Sequence, residues 1–148
     1  MSEYDYTVML VEDDPGDARL VMTAIADNRF RCRVHHLKDG VAAMAFLREA
    51  YANGNGRDIP DLVLLDLNIP RKSGHEVLAD IKRDDLMMDI PVVVLSTSDA
   101  DRDVSAAYRG GASGYVTKPI DVDALFAAIK GIEEYWFGLV RRRGRRQR

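Results

Sequence analysis

The sequence predicts an α/β protein built on a five-stranded, doubly wound parallel sheet, with five helices in a three-layer αβα arrangement. Five short apolar runs rich in β-forming residues alternate with segments whose apolar residues recur at helical spacing. Two of these runs, at residues 61–67 and 91–95, have no polar alternation, as expected of central strands that helices cover on both faces. Right-handed crossovers between parallel strands then favour the strand order 2-1-3-4-5.

The first half of the chain predicts three strands and two helices. The first strand ends abruptly at Glu12, after which Asp14 can cap a helix that has Pro15 at its first position. A turn at Asp39-Gly40 separates the second strand from the second helix. The strands are expected at residues 6–11, 34–37 and 61–67, and the helices around residues 15–25 and 41–47.

The second half predicts three helices and two strands. The break at Ser73-Gly74 precedes the third helix, and Gly110-Gly111 closes the fourth helix. The fourth and fifth strands are expected at residues 91–95 and 115–117, and the third and fourth helices around 77–81 and 101–108. Asp121 caps the fifth helix, whose inward-facing residues are expected to be Val122, Leu125, Phe126, Ile129 and Ile132.

Length and composition indicate one globular domain. The 148 residues are 47% hydrophobic and 30% charged, which excludes the compositions that stay disordered. We expect one domain at residues 1–140 and a mobile, basic tail at 141–148, with no DNA-binding module. No apolar stretch approaches the ~20 residues that cross a bilayer, and the first residues do not resemble a signal peptide, so we expect a cytoplasmic protein with no membrane partner. Cys32 is the single cysteine, and it is interpreted as a small apolar strand residue.

Chemically distinctive residues follow the predicted strands. Glu12 and Asp13 follow the first strand, Asp66 follows the third, Ser96 follows the fourth and Lys118 follows the fifth. Carboxyl ends of parallel strands meet at one edge of a sheet, and three converging carboxylates need a cation there. Oxygen ligands favour Mg²⁺, with Mn²⁺ as an alternative. The set therefore predicts a phosphoryl site in which a carboxylate is the nucleophile and the ammonium and hydroxyl bind phosphoryl oxygens.

Four ordered segments carry a family resemblance that covers about residues 6–137. The chain resembles the receiver domains of response regulators, which are chemotaxis-regulator-like proteins of flavodoxin-like fold in two-component signalling. The segments are Val11-Glu12-Asp13-Asp14-Pro15, Leu65-Asp66-Leu67-Asn68-Ile69-Pro70 with Gly74, Val94-Leu95-Ser96, and Gly111-Ala112-Ser113-Gly114-Tyr115-Val116-Thr117-Lys118-Pro119.

The resemblance implies a role for each matching residue. Asp66 would accept a phosphoryl group from a sensor histidine kinase, and the chain would not be a turnover enzyme. The metal would be bound directly by Asp13, through water by Glu12, through its carboxylate by Asp66 and through its backbone carbonyl by Asn68. Many receivers have aspartate at the position of Glu12, so the outer ligands of the metal are expected to differ. The peptide bond between Lys118 and Pro119 would be cis.

The resemblance also implies how the signal leaves the domain. Ser96 would move toward the phosphoryl group and Tyr115 would turn inward, which changes the surface of the fourth helix, fifth strand and fifth helix. The apolar residues at the end of the fifth helix favour a homodimer through this surface. They are Tyr135, Trp136, Phe137, Leu139 and Val140.

Further segments resemble the stand-alone regulators of bacterial phytochrome histidine kinases. They are Glu12 to Asp17, the loop at residues 53–58, residues 90–98 and residues 132–136. The expected partners are therefore a histidine kinase, phytochrome-like or of another kind, and a separate downstream protein.

Three other functions fit the sequence less well. A scaffold with a receiver fold typically loses an acid, the acceptor or the lysine, and this chain keeps all of them. A phosphatase of the haloacid dehalogenase type also uses aspartate and Mg²⁺, but its second acid comes two residues after the nucleophile, where this chain has Asn68. A flavodoxin-like nucleotide-binding protein would not place acids in the first loop, because they would repel phosphate.

Overall fold

The computed structural model describes residues 4–53 and 56–140. The strands are β1 (Tyr6–Val11), β2 (Cys32–Leu37), β3 (Leu62–Leu65), β4 (Val92–Ser96) and β5 (Gly114–Thr117). The helices are α1 (Pro15–Ala26), α2 (Gly40–Ala52), α3 (Gly74–Arg83), α4 (Asp101–Arg109) and α5 (Val122–Glu133), and a π-helical segment, Glu134–Val140, continues α5. The predicted basic tail at 141–148 lies outside the described residues.

The five strands form one parallel sheet in the order β2-β1-β3-β4-β5, which confirms the predicted fold class. Of the three inner strands, β3 and β4 are buried along their whole length and β1 is buried after its first residue, while the edge strands β2 and β5 are mostly half-buried. This difference explains why the inner strands are continuous apolar runs and the edge strands are not.

Helices cover both faces of the sheet. Successive strand residues point to opposite faces, so Val8 and Leu10 pack with α1 and α5, whereas Met9 and Val11 pack with α2, α3 and α4. Each face therefore has its own hydrophobic core, and the three-layer αβα arrangement is as predicted.

The register of the sheet aligns the carboxyl ends of the strands. Val11 pairs with Leu65, so the next residues, Glu12 and Asp66, lie side by side. Ser96 pairs with Thr117, which places Lys118 one residue beyond the end of β4. Residues from the ends of four different strands therefore lie together at this edge of the sheet.

One strand boundary differs from its predicted position, and one predicted side-chain orientation is wrong. β2 begins at Cys32, two residues before its predicted start, because backbone pairing with β1 extends to Tyr6. Val122 is exposed, not inward-facing, because it is the first residue of α5, and the core-facing stripe starts one turn later at Leu125.

The segment after α5 packs back onto the domain. Phe137 is buried, and its ring stacks on Tyr6 with centroids 4.1 Å apart and meets Phe30 edge-on at 5.5 Å. Tyr135 remains exposed and Trp136 half-buried. Part of the apolar end that predicted self-association is therefore covered by the same chain. Within the described residues, we find no helix with the length and apolar character needed to traverse a lipid bilayer.

Candidate functional site

Three carboxylates converge at the carboxyl edge of the sheet. Glu12, Asp13 and Asp66 each offer an oxygen within 4.8 Å of the others. Glu12 and Asp66 are buried, with 2% and 7% of their surface exposed, while Asp13 faces solvent. Like charges at this spacing repel one another, so the arrangement requires positive charge.

Lys118 supplies part of that charge. Its side chain is 8% exposed, and Nζ donates to Glu12 Oε1, to Asp17 Oδ2 at 3.0 Å and to Asp66 Oδ2 at 3.2 Å. All three donors of the ammonium are thus used by carboxylates from α1 and from the ends of β1 and β3. The contact with Asp66 confirms that the lysine reaches the predicted acceptor.

Burial and charge act against each other in this cluster. Burial raises the pKa of Glu12, and the hydrogen bonds from Lys118 and from the Asp14 backbone N–H oppose that shift. Burial lowers the pKa of Lys118, but hydrogen bonds to Glu12 and Asp17 and the charge of Asp66 outweigh it, so the pKa is raised overall. The lysine therefore stays charged at neutral pH.

The site is fixed by contacts on two sides. The backbone N–H of Asn68 donates to Asp66 Oδ1 at 3.1 Å. The ring nitrogen Nε2 of His36, on β2, lies 2.7 Å from the carbonyl oxygen of Glu12 and donates to it. These bonds hold both acids at the strand ends.

The loop that carries Asp66 is packed tightly against α3. A Cβ at Gly74 would lie 2.4 Å from the carbonyl oxygen of Asp66 and 2.5 Å from Cα of Leu67. Ser73 and Glu76 form a capping box, in which the Ser73 hydroxyl accepts from the Glu76 N–H and the Glu76 carboxylate accepts from the Ser73 N–H. Only glycine permits this close approach of helix and loop.

The predicted switch residues are connected through Ser98. Ser96 is fully buried, and its hydroxyl oxygen accepts a bond from the Ser98 N–H at 3.3 Å. The carbonyl oxygen of Ser98 accepts a 2.7 Å bond from the hydroxyl of Tyr115. The Ser98 hydroxyl donates to Asp103 on α4 at 2.5 Å. One residue thus links the end of β4 to β5 and α4.

The prediction of a cis bond between Lys118 and Pro119 is wrong. Throughout residues 4–53 and 56–140, every peptide bond is trans. The trans form is the lower-energy isomer of a bond before proline, and Lys118 reaches Asp66 with that form in place.

Sequence reasoning missed two residues around the site, since neither Asp17 nor His36 was assigned a role there. Asp17 reaches Lys118 from the first turn of α1, and His36 contacts the backbone carbonyl of Glu12 from β2. Both contacts join elements that are distant in sequence, for which the sequence holds no signal. The links from Ser98 to Tyr115 and Asp103 are likewise visible only in the fold.

Cys32 is a structural residue. Its thiol is half-buried and donates to the buried Glu133 carboxylate at 3.4 Å. Burial and the Glu133 charge raise the pKa of the thiol, which disfavours the reactive thiolate.

The acidic cluster fits a divalent cation. Its three donors are hard carboxylate oxygens from two adjacent strand ends, and the exposed Asp13 leaves room for water ligands, which Mg²⁺ and Mn²⁺ keep. The predicted ligands Glu12, Asp13 and Asp66 are therefore together, and Asn68 follows Asp66 in the same loop.

Known proteins are similar to this chain in sequence and in fold. A "probable methanogenesis regulatory protein", FilR2 of Methanothrix harundinacea, is 42% identical over 93% of this chain and 87% of its own length. Response regulator Rcp1 of Synechocystis is also 42% identical, and the crystal structure of its Mn²⁺-bound form superposes with a TM-score of 0.82 over 91% of this chain and 96% of that one. The phosphorylated cyanobacterial phytochrome response regulator RcpA has 45% identity and a TM-score of 0.82, over 89% and 94% of the two chains.

The family model of the response regulator receiver domain matches residues 8–130, which include every residue of the acidic cluster as well as Ser96, Tyr115 and Lys118. The resemblance seen in the sequence, including the likeness to phytochrome response regulators, is thereby confirmed. This chain belongs to the response regulator receiver domain family of two-component signalling proteins.

Proposed function

We propose that the chain is a single-domain response regulator that accepts a phosphoryl group on Asp66 from a histidine kinase. One observation carries the proposal: the buried Asp66 carboxylate lies 3.2 Å from the Lys118 ammonium and belongs, with Glu12 and Asp13, to a cluster of acids suited to a divalent metal. With a metal bound, this nucleophilic carboxylate would have positive charge on both sides, as transfer of an anionic group needs.

The chemistry assigned to the residues is a simple exchange of bonds. A carboxylate oxygen of Asp66 forms a bond to phosphorus while the P–N bond of a phosphohistidine breaks, and the imidazole leaves with its electron pair. Lys118 keeps its charge and binds the transferred oxygens, and the hydroxyl of Ser96 donates to them. The domain assists its own phosphorylation without being a turnover enzyme.

Mg²⁺ is the proposed metal, with Mn²⁺ as a substitute. Glu12, Asp13 and Asp66 would hold it, and Asn68 would contribute its backbone carbonyl. When bound, the metal would neutralise charge on the donor and acceptor oxygens.

The proposed signal travels from Ser96 to Tyr115. A phosphoryl group on Asp66 carries about −1.5 to −2 charges in place of the single charge of the carboxylate, and its oxygens draw the Ser96 hydroxyl away from the Ser98 N–H. Because the Ser98 carbonyl holds the Tyr115 hydroxyl, a shift of this loop changes the position of Tyr115 on β5. The surface of α4, β5 and α5 then differs between two states.

This surface is also the proposed contact with other proteins. It contains a groove of about 430 Å³ whose aromatic lining includes Tyr108, Tyr115, Tyr135 and Trp136. Aromatic residues are favoured at interface cores, so we propose that the groove takes part in a homodimer or binds a separate downstream protein. Sedimentation of the purified chain as a monomer at all concentrations, phosphorylated or not, would contradict the dimer.

The proposed kinase is phytochrome-like. The support is likeness alone, since RcpA is a phytochrome response regulator and shares 45% identity with this chain. A receiver-fold scaffold that is never phosphorylated is the second candidate, and the following experiment separates the two.

The proposal is tested by incubating the purified chain with acetyl phosphate, with and without Mg²⁺. The mass of the intact protein and the amount of acid-labile phosphate bound to it are then measured. We expect one phosphoryl group per chain with Mg²⁺ and none in Asp66→Asn. Asp13→Asn should need more Mg²⁺ for the same rate. The matched control Asp14→Asn keeps a side chain that can cap α1 and should be labelled normally. Labelling of Asp66→Asn at the native rate would contradict the proposal, and absence of labelling in the native chain, with acetyl phosphate and with histidine kinases, would favour a scaffold.

A further inference from the structure

We propose that Asp17 is a positioning residue that holds the Lys118 ammonium toward Asp66. The inference rests on the proposed function and extends it to a residue outside the predicted site. Asp17 Oδ2 lies 3.0 Å from Lys118 Nζ, and its side chain is 36% exposed, so one oxygen faces the lysine and the group also reaches solvent.

The position of Asp17 is fixed by the start of α1. Asp14 caps this helix, with its Oδ1 accepting from the N–H groups of Gly16 at 2.8 Å and Asp17 at 3.4 Å. Asp17 thus lies in the first turn, where a carboxylate is favoured by the helix dipole. The helix cap therefore fixes the backbone that carries this carboxylate, as a positioning residue requires.

The three carboxylates around Lys118 are not equivalent. Glu12 and Asp66 are both members of the acidic cluster whose oxygens lie within 4.8 Å of one another, and Asp17 is not. A divalent cation in that cluster would compete with Lys118 for Glu12 and Asp66. Among the carboxylates that contact Lys118 in the described residues, Asp17 is the one whose contact does not depend on that competition.

The consequence concerns the lysine during phosphoryl transfer. A lysine side chain has four rotatable bonds, and without an anchor its ammonium can turn away from the acceptor. A cavity of about 230 Å³, lined by Lys118 and Asp17 together with Leu20, Thr97 and Pro119, leaves open space beside this contact. Because Asp17 engages one donor of the ammonium, the remaining donors stay directed at Glu12 and at the oxygens that arrive on Asp66.

A rival explanation predicts a change in a different kinetic quantity. If Asp17 acted only as a negative charge near an anionic donor, its removal would reduce repulsion and lower the donor concentration needed for half-maximal rate. If Asp17 positions Lys118, its removal lowers the maximal rate, because correct placement of the ammonium is lost.

The test is a graded series at Asp17, measured with acetyl phosphate at saturating Mg²⁺. Asp17→Ala removes the contact, Asp17→Asn keeps a weaker acceptor, and Asp17→Glu keeps the charge with a longer reach. We expect the maximal rate to fall about tenfold in Asp17→Ala, less in Asp17→Asn and least in Asp17→Glu. The Mg²⁺ dissociation constant, measured by calorimetry, and the urea midpoint should change little. Asp123→Asn, which removes an exposed carboxylate from the first turn of α5, is the matched control with a native rate.

The possible results separate the role of Asp17 from the proposed phosphorylation of Asp66. A native rate in Asp17→Ala, a faster rate in both charge-removing variants, or an equal loss in Asp123→Asn overturns the role of Asp17. A large loss of Mg²⁺ affinity also overturns it, because Asp17 would then act on the metal. These results leave the proposed function intact as long as the native chain is labelled and Asp66→Asn is not. Failure of the native chain to accept phosphate overturns both.

Discussion

The substitution Gly74→Ala tests whether packing at the start of α3 fixes the phosphoacceptor. A methyl group there would meet the Asp66 carbonyl oxygen at 2.4 Å and Leu67 Cα at 2.5 Å. Ordinary contacts between heavy atoms lie at roughly 3.5–4.0 Å. Because both opposing atoms belong to the backbone, no side-chain rotation can relieve the clash, and the loop must move by about 1 Å.

Two effects are expected from that movement. Overpacking should destabilise the fold by about 1–3 kcal/mol. A displacement of about 1 Å at the acceptor can lower the rate of reaction by up to about 100-fold. We would measure the first by urea denaturation followed by circular dichroism, and the second by the rate of phosphate incorporation from acetyl phosphate.

Gly131→Ala is the matched control. Gly131 lies inside α5, and a Cβ there has no neighbouring heavy atom within 4 Å. Alanine should therefore stabilise this helix by about 0.5–1 kcal/mol and leave the labelling rate unchanged. If Gly74→Ala matched Gly131→Ala in stability and in rate, the close approach of α3 to the Asp66 loop would not be what holds the acceptor.

Three further experiments test other parts of the account. Lys118→Met should lower the free energy of unfolding at neutral pH by about 3–5 kcal/mol, since it leaves buried carboxylates without their cation, and added Mg²⁺ should restore part of the loss. Glu133→Gln should weaken the pH dependence of stability: burial raises the pKa of Glu133 from 4.5 to about 6, so this carboxyl contributes a loss of about 1–2 kcal/mol as pH rises through this interval, and the variant should lose that much less than the native chain. Phe137→Ala should cost about 3–5 kcal/mol because the ring is buried, whereas Tyr135→Ala, at an exposed ring, should stay within about 0.5 kcal/mol of native.

All three are measured by urea denaturation, the second as a series from pH 4 to pH 7. The Lys118 account fails if the variant is as stable as the native chain without Mg²⁺. If the free energy of unfolding had the same pH dependence in the native chain and in Glu133→Gln, ionisation of this carboxyl would not destabilise the fold. Equal losses at Phe137 and Tyr135 would mean that the segment after α5 does not pack as described.

The sequence predicted the fold because each strand is a distinct apolar run with a turn or cap after it. Parallel strands bring their carboxyl ends to one edge, so the positions of Glu12, Asp66 and Lys118 in the chain were enough to predict their meeting. The site was predictable because it follows from strand order and from where each strand stops.

Contacts made by long side chains were less predictable. Nothing in the spacing of residues 17 and 118 shows that a lysine would use all three of its donors on carboxylates, one of them on α1. The buried position of Glu133 was also missed, because its carboxylate is enclosed by contacts with Asn28 and Cys32, which lie far from it in sequence. Tertiary packing, which local patterns do not encode, decided both cases.

The apolar end of the chain shows the same limit. Phe137 packs on Tyr6 and Phe30 of its own domain, whereas Tyr135 and Trp136 line the groove of the α4, β5 and α5 surface. A run of neighbouring aromatic residues is divided between the core and the surface by the π-helical turn, which changes the angle between successive side chains. Self-association through the exposed members stays a prediction.

The central claim is that Asp66 carries the phosphoryl group, and chemical mapping tests it most directly. The chain is phosphorylated with acetyl phosphate and Mg²⁺, reduced with borohydride, which converts an aspartyl phosphate to homoserine, and digested for mass spectrometry. We predict homoserine at position 66 alone, dependent on Mg²⁺. Conversion at another carboxylate, or a phosphoryl group that survives acid on a serine or threonine, would contradict the account.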